Sequence, residues 1–291
     1  MLLELLVRGI AVGLLYGLAA LGFALVYNST NIFHIAVGGV YVLAGYLTYS
    51  IAVLFQLPLV LTLVLCLAVS ALVGMAIEYF VYRPVMKFGG GLTACMIASF
   101  GVLIVLQGFI TLVYGNRTQV LFSGPLPTVQ IAGIIITTAK VYAIAASIVS
   151  FIVLNLFLNR TRLGTGIRAV SNNPGLAEAV GIDVGKVRLV VFALGSALTA
   201  LASFFISLET GARPDMGFII IMICANAVLM GGHGYLLGAA FGGLLLGLID
   251  VPAAYVFGDP WRNVVIFAVF IIILVFLPRG LFGNRMLVRT E

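Results

Sequence analysis

Residues 6–27 read LVRGIAVGLLYGLAALGFALVY. Arg8 is the sole charge in the run. A helix needs ~20 mainly apolar residues to cross the ~30 Å of hydrocarbon in a bilayer, and this stretch supplies them. Eight further apolar segments follow, at about 35–55, 58–81, 92–114, 140–158, 187–208, 217–231, 235–257 and 262–278. The reading is an all-α, polytopic transmembrane helical bundle of eight or nine spans. The whole chain, 1–291, is read as a single transmembrane domain with one long polar loop at 159–186. No internal repeat is visible.

Composition agrees. Hydrophobic residues make up 63% of the chain and charged residues 8%, against ~25% charged in soluble domains. So few charges cannot cover a soluble surface, so lipid must solvate much of the exterior. The 34 glycines suit helices that approach closely where lipid removes the hydrophobic drive. Gly13/Gly17, Gly238/Gly242 and Gly243/Gly247 each fit the G-x-x-x-G spacing and are read as packing positions. The apolar segments ending at Phe55 and Gly231 are irregular: the first begins at Gly38–Gly39, and the second is short and runs into Gly232-His233-Gly234. Either is a candidate broken or re-entrant helix, which a membrane tolerates only where its backbone is covered by protein or faces a cavity.

The net charge of +6 does not point to nucleic acid, because the basic residues lie in loops between apolar spans. With 159–186 placed in the cytoplasm, Arg83, Lys87, Arg160, Arg162, Arg168, Lys186, Arg188, Arg279, Arg285 and Arg289 share that side. Arg8, Arg117, Lys140, Arg213 and Arg262 fall opposite. This two-to-one bias puts the N-terminus outside and the C-terminus in the cytoplasm. Between the fourth and fifth spans, Gly115–Ala139 reads as a loop with a short hairpin.

Catalytic and metal patterns are missing from the sequence. Cys66, Cys95 and Cys224 lie within apolar segments without a C-x-x-C spacing, and read as small buried hydrophobes. His34 and His233 lack further ligands that would make a metal site. No cofactor is expected. Gly181 to Lys186 resembles a phosphate loop only superficially: three residues separate Gly181 from Gly185, and Val187 follows the lysine.

The polar loop carries its own helix signals. Asn173 is an N-cap, Pro174 suits the first helical position and Gly181 a C-terminal stop. Leu176, Ala177 and Val180 are expected to share one face, with Glu178 off it. Within the spans, Glu78, near the cytoplasmic end of its helix and close to Arg83, is expected to snorkel or to pair locally. Asp250, before Pro252, is read as a capping or pairing residue or as part of an outer substrate path. Asn155, Gln107 and Asn226 are candidates for bonds between helices, with Asn226 also a pore-lining candidate.

These residues are similar to a known family. The loop and helix TRLGTGIRAVSNNPGLAEAVGIDVGKVRLVVFALGSALTALAS (161–203) resemble those of LivH-type permeases of branched-chain amino acid ABC importers. GIAVGLLYGLAALGFALVYNSTNIFHIAVGGVYVLAGYL (9–47) resembles their first two membrane segments. AVLMGGHGYLLGAAFGGLLLGLID (227–250) and WRNVVIFAVFIIILVFLPRGLFG (261–283) resemble their last part. The likeness departs at His34-Ile35-Ala36-Val37-Gly38-Gly39, where many relatives have a polar residue in place of Val37 and an acid in place of Gly39.

The resemblance implies a non-enzymatic transport subunit in the bacterial inner membrane. It implies a heterodimer with a second, related permease, two cytoplasmic ATPase subunits and a periplasmic substrate-binding protein. Asn173, Pro174, Leu176, Ala177, Glu178, Val180 and Gly181 would form the ATPase-coupling helix. His34, Gly38, Gly39, Asn226 and Asp250 are the candidate translocation path. The implied substrates are branched-chain amino acids, with urea, short amides or another amino acid as alternatives. An ion-coupled secondary transporter is the competing class. An intramembrane enzyme lacks a nucleophile–base pair.

Overall fold

The computed structural model describes residues 2–121, 127–131, 134–232, 235–276 and 280–281. Its helices are α1 (Leu2–Thr30), α2 (Val37–Tyr49), α3 (Leu59–Ile77), α4 (Arg83–Lys87), α5 (Leu92–Tyr114), α6 (Thr138–Arg160), α7 (Arg162–Asn172), α8 (Pro174–Ala179), α9 (Val184–Thr210), α10 (Met216–Gly231), α11 (Leu236–Phe257) and α12 (Asp259–Phe276). π-helical turns at Ser50–Leu54 and Glu78–Tyr82 extend α2 and join α3 to α4. Strands β1 (Thr128–Ile131) and β2 (Ile134–Thr137) pair antiparallel as a short hairpin between α5 and α6. His233, Arg279, Arg285 and Arg289 lie outside the described residues.

Each of the nine apolar segments falls on a helix. Among the described residues seven are long and apolar enough to cross a membrane, while α10 and the Val264–Ile273 part of α12 are shorter. The segment from Val37 is a full-length span once its π turn is counted. Thr48, Ser147 and Thr199 inside the spans donate to carbonyls four residues back, at 2.7–2.9 Å.

Helices α1, α2, α9 and α10 form the buried centre, whereas α3, α5 and α6 turn broad apolar faces outward. Bilayer lipid suits such faces. Glycine sets the closest contacts. Gly13 and Gly17 of α1 lie against Leu244 and Ala240 of α11, and Gly243 and Gly247 of α11 against Gly17 and Gly13. Two G-x-x-x-G patterns therefore face each other across one antiparallel pair. The third, Gly238/Gly242, packs on Gly231 and Ala227 of α10.

The helix contacts follow a matching pattern in the two ends of the chain. α1 packs on α11 as α9 packs on α3; α2 meets α9 as α10 meets α1; α2 meets α3 as α10 meets α11. α1 and α9 meet at Gly22 and Gly195. The neighbours of α1, α2 and α3 thus correspond to those of α9, α10 and α11.

Both α2 and α10 begin inside the bundle. The segment before α2 runs back from the end of α1: His34 reaches Tyr82, and the Ala36 amide donates to Ser99 Oγ at 2.8 Å. Ser99 lies seven residues into α5, or ~10 Å at ~1.5 Å per residue. From the opposite end, residues 211–215 bring α10 inward, so that Gly217 meets Gly38 and Val42. The N-termini of the two short helices abut. Ile32, His34, Ala36 and Ala212 are almost fully buried, which is what irregular backbone at membrane depth requires.

Candidate translocation cleft and coupling loop

A cleft of about 410 Å³ opens where α10 begins. Its walls come from α1, α2, α9, α10, α11 and α12. Arg213 and Thr210 stand exposed at its rim. Ile206, Ile219, Ile220, Ile223 and Ile266 form aliphatic walls. Tyr16, Tyr41 and Asp250 close the floor. Tyr16 donates from its hydroxyl to Asp250 Oδ2 at 3.0 Å. Asp250 is fully buried within α11, two residues before the in-helix Pro252. A buried carboxylate needs such a donor, because burying a charge without a partner costs several kcal/mol.

The other sequence candidates are placed around this cleft rather than in it. Gly38 lets α2 close on Gly217 and Ile221, and Gly39 abuts Leu103 and Leu106 of α5. Both hold the helix crossing. His34 is fixed by a 2.8 Å contact from Nδ1 to the Tyr82 hydroxyl and an edge-on contact with Phe192. It anchors the entry to α2. Asn226 lies one turn beyond Ile223 on α10, 4% exposed, and its amide nitrogen meets no acceptor. Of the five, Asp250 alone lines the cleft, while Asn226 continues its α10 wall inward. Tyr16, Tyr41 and Arg213 were missed in the sequence. They come from three separate elements, and only the opposition of α10 to α1 and α2 brings them together.

Two expected pairings are corrected. Glu78 does not pair with Arg83. Fully buried in the π turn, it takes Arg188 of α9 at 2.8 Å. Arg83 instead donates to the Gly185 carbonyl at 2.8 Å and lies over the Tyr79 ring. The π turn rotates the chain after Ile77, so Glu78 faces α9. Asn155 makes no bond between helices; it accepts from Asn159 on its own helix at 2.8 Å. Gln107 borders an open groove on the outer face of α5 with Ile104, Gly108, Thr111 and Leu112.

The polar loop folds as two helices. α7, which the sequence reading did not separate, is strongly amphipathic and buries Ile167 and Val170 against the bundle. Thr161 caps it by accepting from the Gly164 amide at 2.9 Å. For α8, Asn173 accepts from the Leu176 amide at 3.0 Å. Gly181 ends it at φ +86°, with its amide donating to the Glu178 carbonyl at 2.9 Å. The expected apolar face is divided. Ala177 is buried against the protein's own core, whereas Leu176 and Val180 are 64% and 70% exposed. On a helix, positions 176 and 180 align while 177 lies well round from 176. Asp183 then caps α9, accepting from the Lys186 amide at 3.0 Å. That bond and the Lys186 ammonium hold its carboxyl below the usual carboxylate range.

A lipid-facing helical bundle with broken helices meeting at its centre, a polar-floored cleft and a capped loop at one end defines a polytopic membrane transport permease. Residues 5–274 match the family described as branched-chain amino acid transport system / permease component, and the chain belongs to that family. It is 29% identical to the high-affinity branched-chain amino acid transport system permease protein BraD of Pseudomonas aeruginosa, over 97% of this chain and 96% of that one. To the LivH permease protein of Salmonella typhimurium it is 27% identical, with the same coverage. The fold is also that of a chain in the structure of PsaBC from Streptococcus pneumoniae in complex with Fab: TM-score 0.53, 14% identity, covering 95% of this chain and 91% of that one.

Proposed function

We propose that this chain is one permease subunit of an ABC importer that moves branched-chain amino acids inward, driven by ATP hydrolysis in two partner ATPases. The observation that carries the reading is the α7–α8 loop. It is built rigidly onto the bundle through Ile167, Val170 and Ala177, yet presents Leu176 and Val180 to the outside. Exposed aliphatic side chains on a capped, well-seated helix suit a partner groove. The ATPase subunits are the assigned occupants. A periplasmic binding protein would deliver substrate at the cleft end, and a second, related permease would cover part of the α3–α5–α6 face. Isoleucine-rich cleft walls favour an aliphatic amino acid over urea or a short amide.

A buried acid, Asp250, also suits an ion-coupled transporter. ATP depletion separates the two. Uptake is expected to stop when ATP is removed and to continue when the proton or sodium gradient is collapsed; the opposite pattern would establish ion coupling.

Since no nucleotide-binding pattern occurs in the sequence, the purified chain alone is expected to hydrolyse no ATP. Robust hydrolysis by the contaminant-free subunit would contradict the assignment. For sidedness, single cysteines at Thr118 and Glu178 are expected to react with impermeant thiol reagents from opposite faces, Glu178 from the cytoplasm. The background should lack Cys66, Cys95 and Cys224, all buried. Labelling of both positions from outside would overturn the orientation.

A further inference from the structure

Resting on the permease reading, we infer that Glu78 and Tyr82, at the two ends of the second π turn, are positioning residues for transport. Glu78 takes movement of the α8 loop from Arg188, and Tyr82 passes it through His34 to the entry of α2.

Both contacts lie on one short segment. Glu78 begins the π turn and Tyr82 ends it, and both are fully buried. Arg188 stands in the second turn of α9, beyond the Asp183 cap. Its Nε meets Glu78 Oε1 at 2.8 Å and its Nη2 donates to Oε2 at 3.1 Å, a two-point grip. Its Nη1 reaches Met86 Sδ at 2.9 Å, so one guanidinium spans the turn from Glu78 to α4. Arg83 adds the contact to the Gly185 carbonyl. On the loop side, α8 runs directly into α9. The Ile182 amide donates to the Ala177 carbonyl at 3.0 Å, and Asp183 caps the next helix. On the membrane side, Tyr82 and His34 meet at 2.8 Å, and both rings rest on Phe192, one turn beyond Arg188. His34 shortly precedes α2, whose Gly38 abuts Gly217 of α10 at the centre of the bundle.

Stability alone does not call for this arrangement. Gly74 against Ser196, and Ile77 with Val187 in one apolar cluster, already hold α3 to α9. A buried ion pair contributes little net stability, because desolvation offsets the attraction, and apolar residues of similar size often serve as well. What a two-point pair adds is one fixed register between two helices. The segment that carries it is built to bend. A π turn interrupts the regular helical ladder, and Pro84, just after it, has no amide to donate. Loosened within and clamped at both ends, the segment has the construction of a joint between α3 and α9.

The test uses the whole importer in liposomes, with its binding protein and L-leucine, and reads leucine moved per ATP hydrolysed. Glu78→Leu combined with Arg188→Met removes both charges together, so no buried charge is left unpaired. Tyr82→Phe removes only a hydroxyl. Both variants are expected to keep wild-type membrane abundance and ATPase co-purification, while leucine moved per ATP falls about tenfold. Arg188→Lys, which keeps the charge without the two-point grip, should fall between them and wild type. An unchanged ratio in both the double variant and Tyr82→Phe, whether uptake and hydrolysis stay normal or decline together, would overturn the joint and leave the permease reading intact. Wild-type uptake that persists without ATP would overturn the permease reading, and the joint with it.

Discussion

Leu176→Asp is expected to abolish uptake and association with the ATPases while leaving the protein at normal abundance in the membrane. Leu176 is 64% exposed on α8, and Val180 beside it is 70% exposed. Neither supports the bundle's interior, so a charge there costs the isolated chain almost nothing. In a docked complex the same carboxylate would be buried without a partner, at several kcal/mol. At ~1.4 kcal/mol per tenfold change in affinity, that is a loss of a hundredfold or more. Glu178→Gln, on the exposed surface away from Leu176, should be much milder. Ala177→Asp is the informative contrast: Ala177 is 3% exposed against the chain's own core, so that change should lower abundance. The measurement is ATPase co-purification beside uptake and membrane abundance. Full retention of ATPase binding by Leu176→Asp would reduce the loop to a connector.

Gly243→Ala should prevent correct assembly of the bundle, whereas the same change at Gly101 should be harmless. A methyl group on Gly243 would coincide with the backbone of Tyr16 and Gly17 on α1. Backbone cannot rotate aside as a side chain can, so α1 and α11 must move apart. Overpacking costs ~1–3 kcal/mol even where side chains can yield, and among the described residues α1 and α11 form the most extensive helix pair. Because α1 also carries Tyr16 and α11 carries Asp250, the floor of the cleft would be displaced too. At Gly101, by contrast, a methyl group meets nothing within 4 Å, and alanine favours helix by up to ~1 kcal/mol. Folded yield and thermal inactivation in detergent distinguish the two variants. Equal stability of both would mean that α1 and α11 are not held by glycine contact.

What the sequence determined by itself follows from the solvent. A bilayer demands long apolar helices with internally bonded backbone, so hydropathy and length sufficed to locate nine helices, and Asn173, Pro174 and Gly181 sufficed to bound α8, because caps are local chemistry. The roles of the glycines as packing positions were legible for the same reason. Tertiary structure decided the rest. That α2 and α10 start inside the bundle and meet at Gly38 and Gly217 depends on how α5 and α9 cover the segment before α2 and how Thr118 and Gln119 cover the one before α10. The choice of Arg188 over Arg83 for Glu78 depends on the π turn. The division of Leu176 and Val180 from Ala177 depends on where α8 lies against the core. Tyr16, Tyr41, Arg213 and Asp250 converge from opposite ends of the chain, and uniformly apolar helices carry no stripe that announces which side faces a neighbour. In lipid the interior and the exterior are equally apolar, so the residues facing the cleft became identifiable only once the helices were packed.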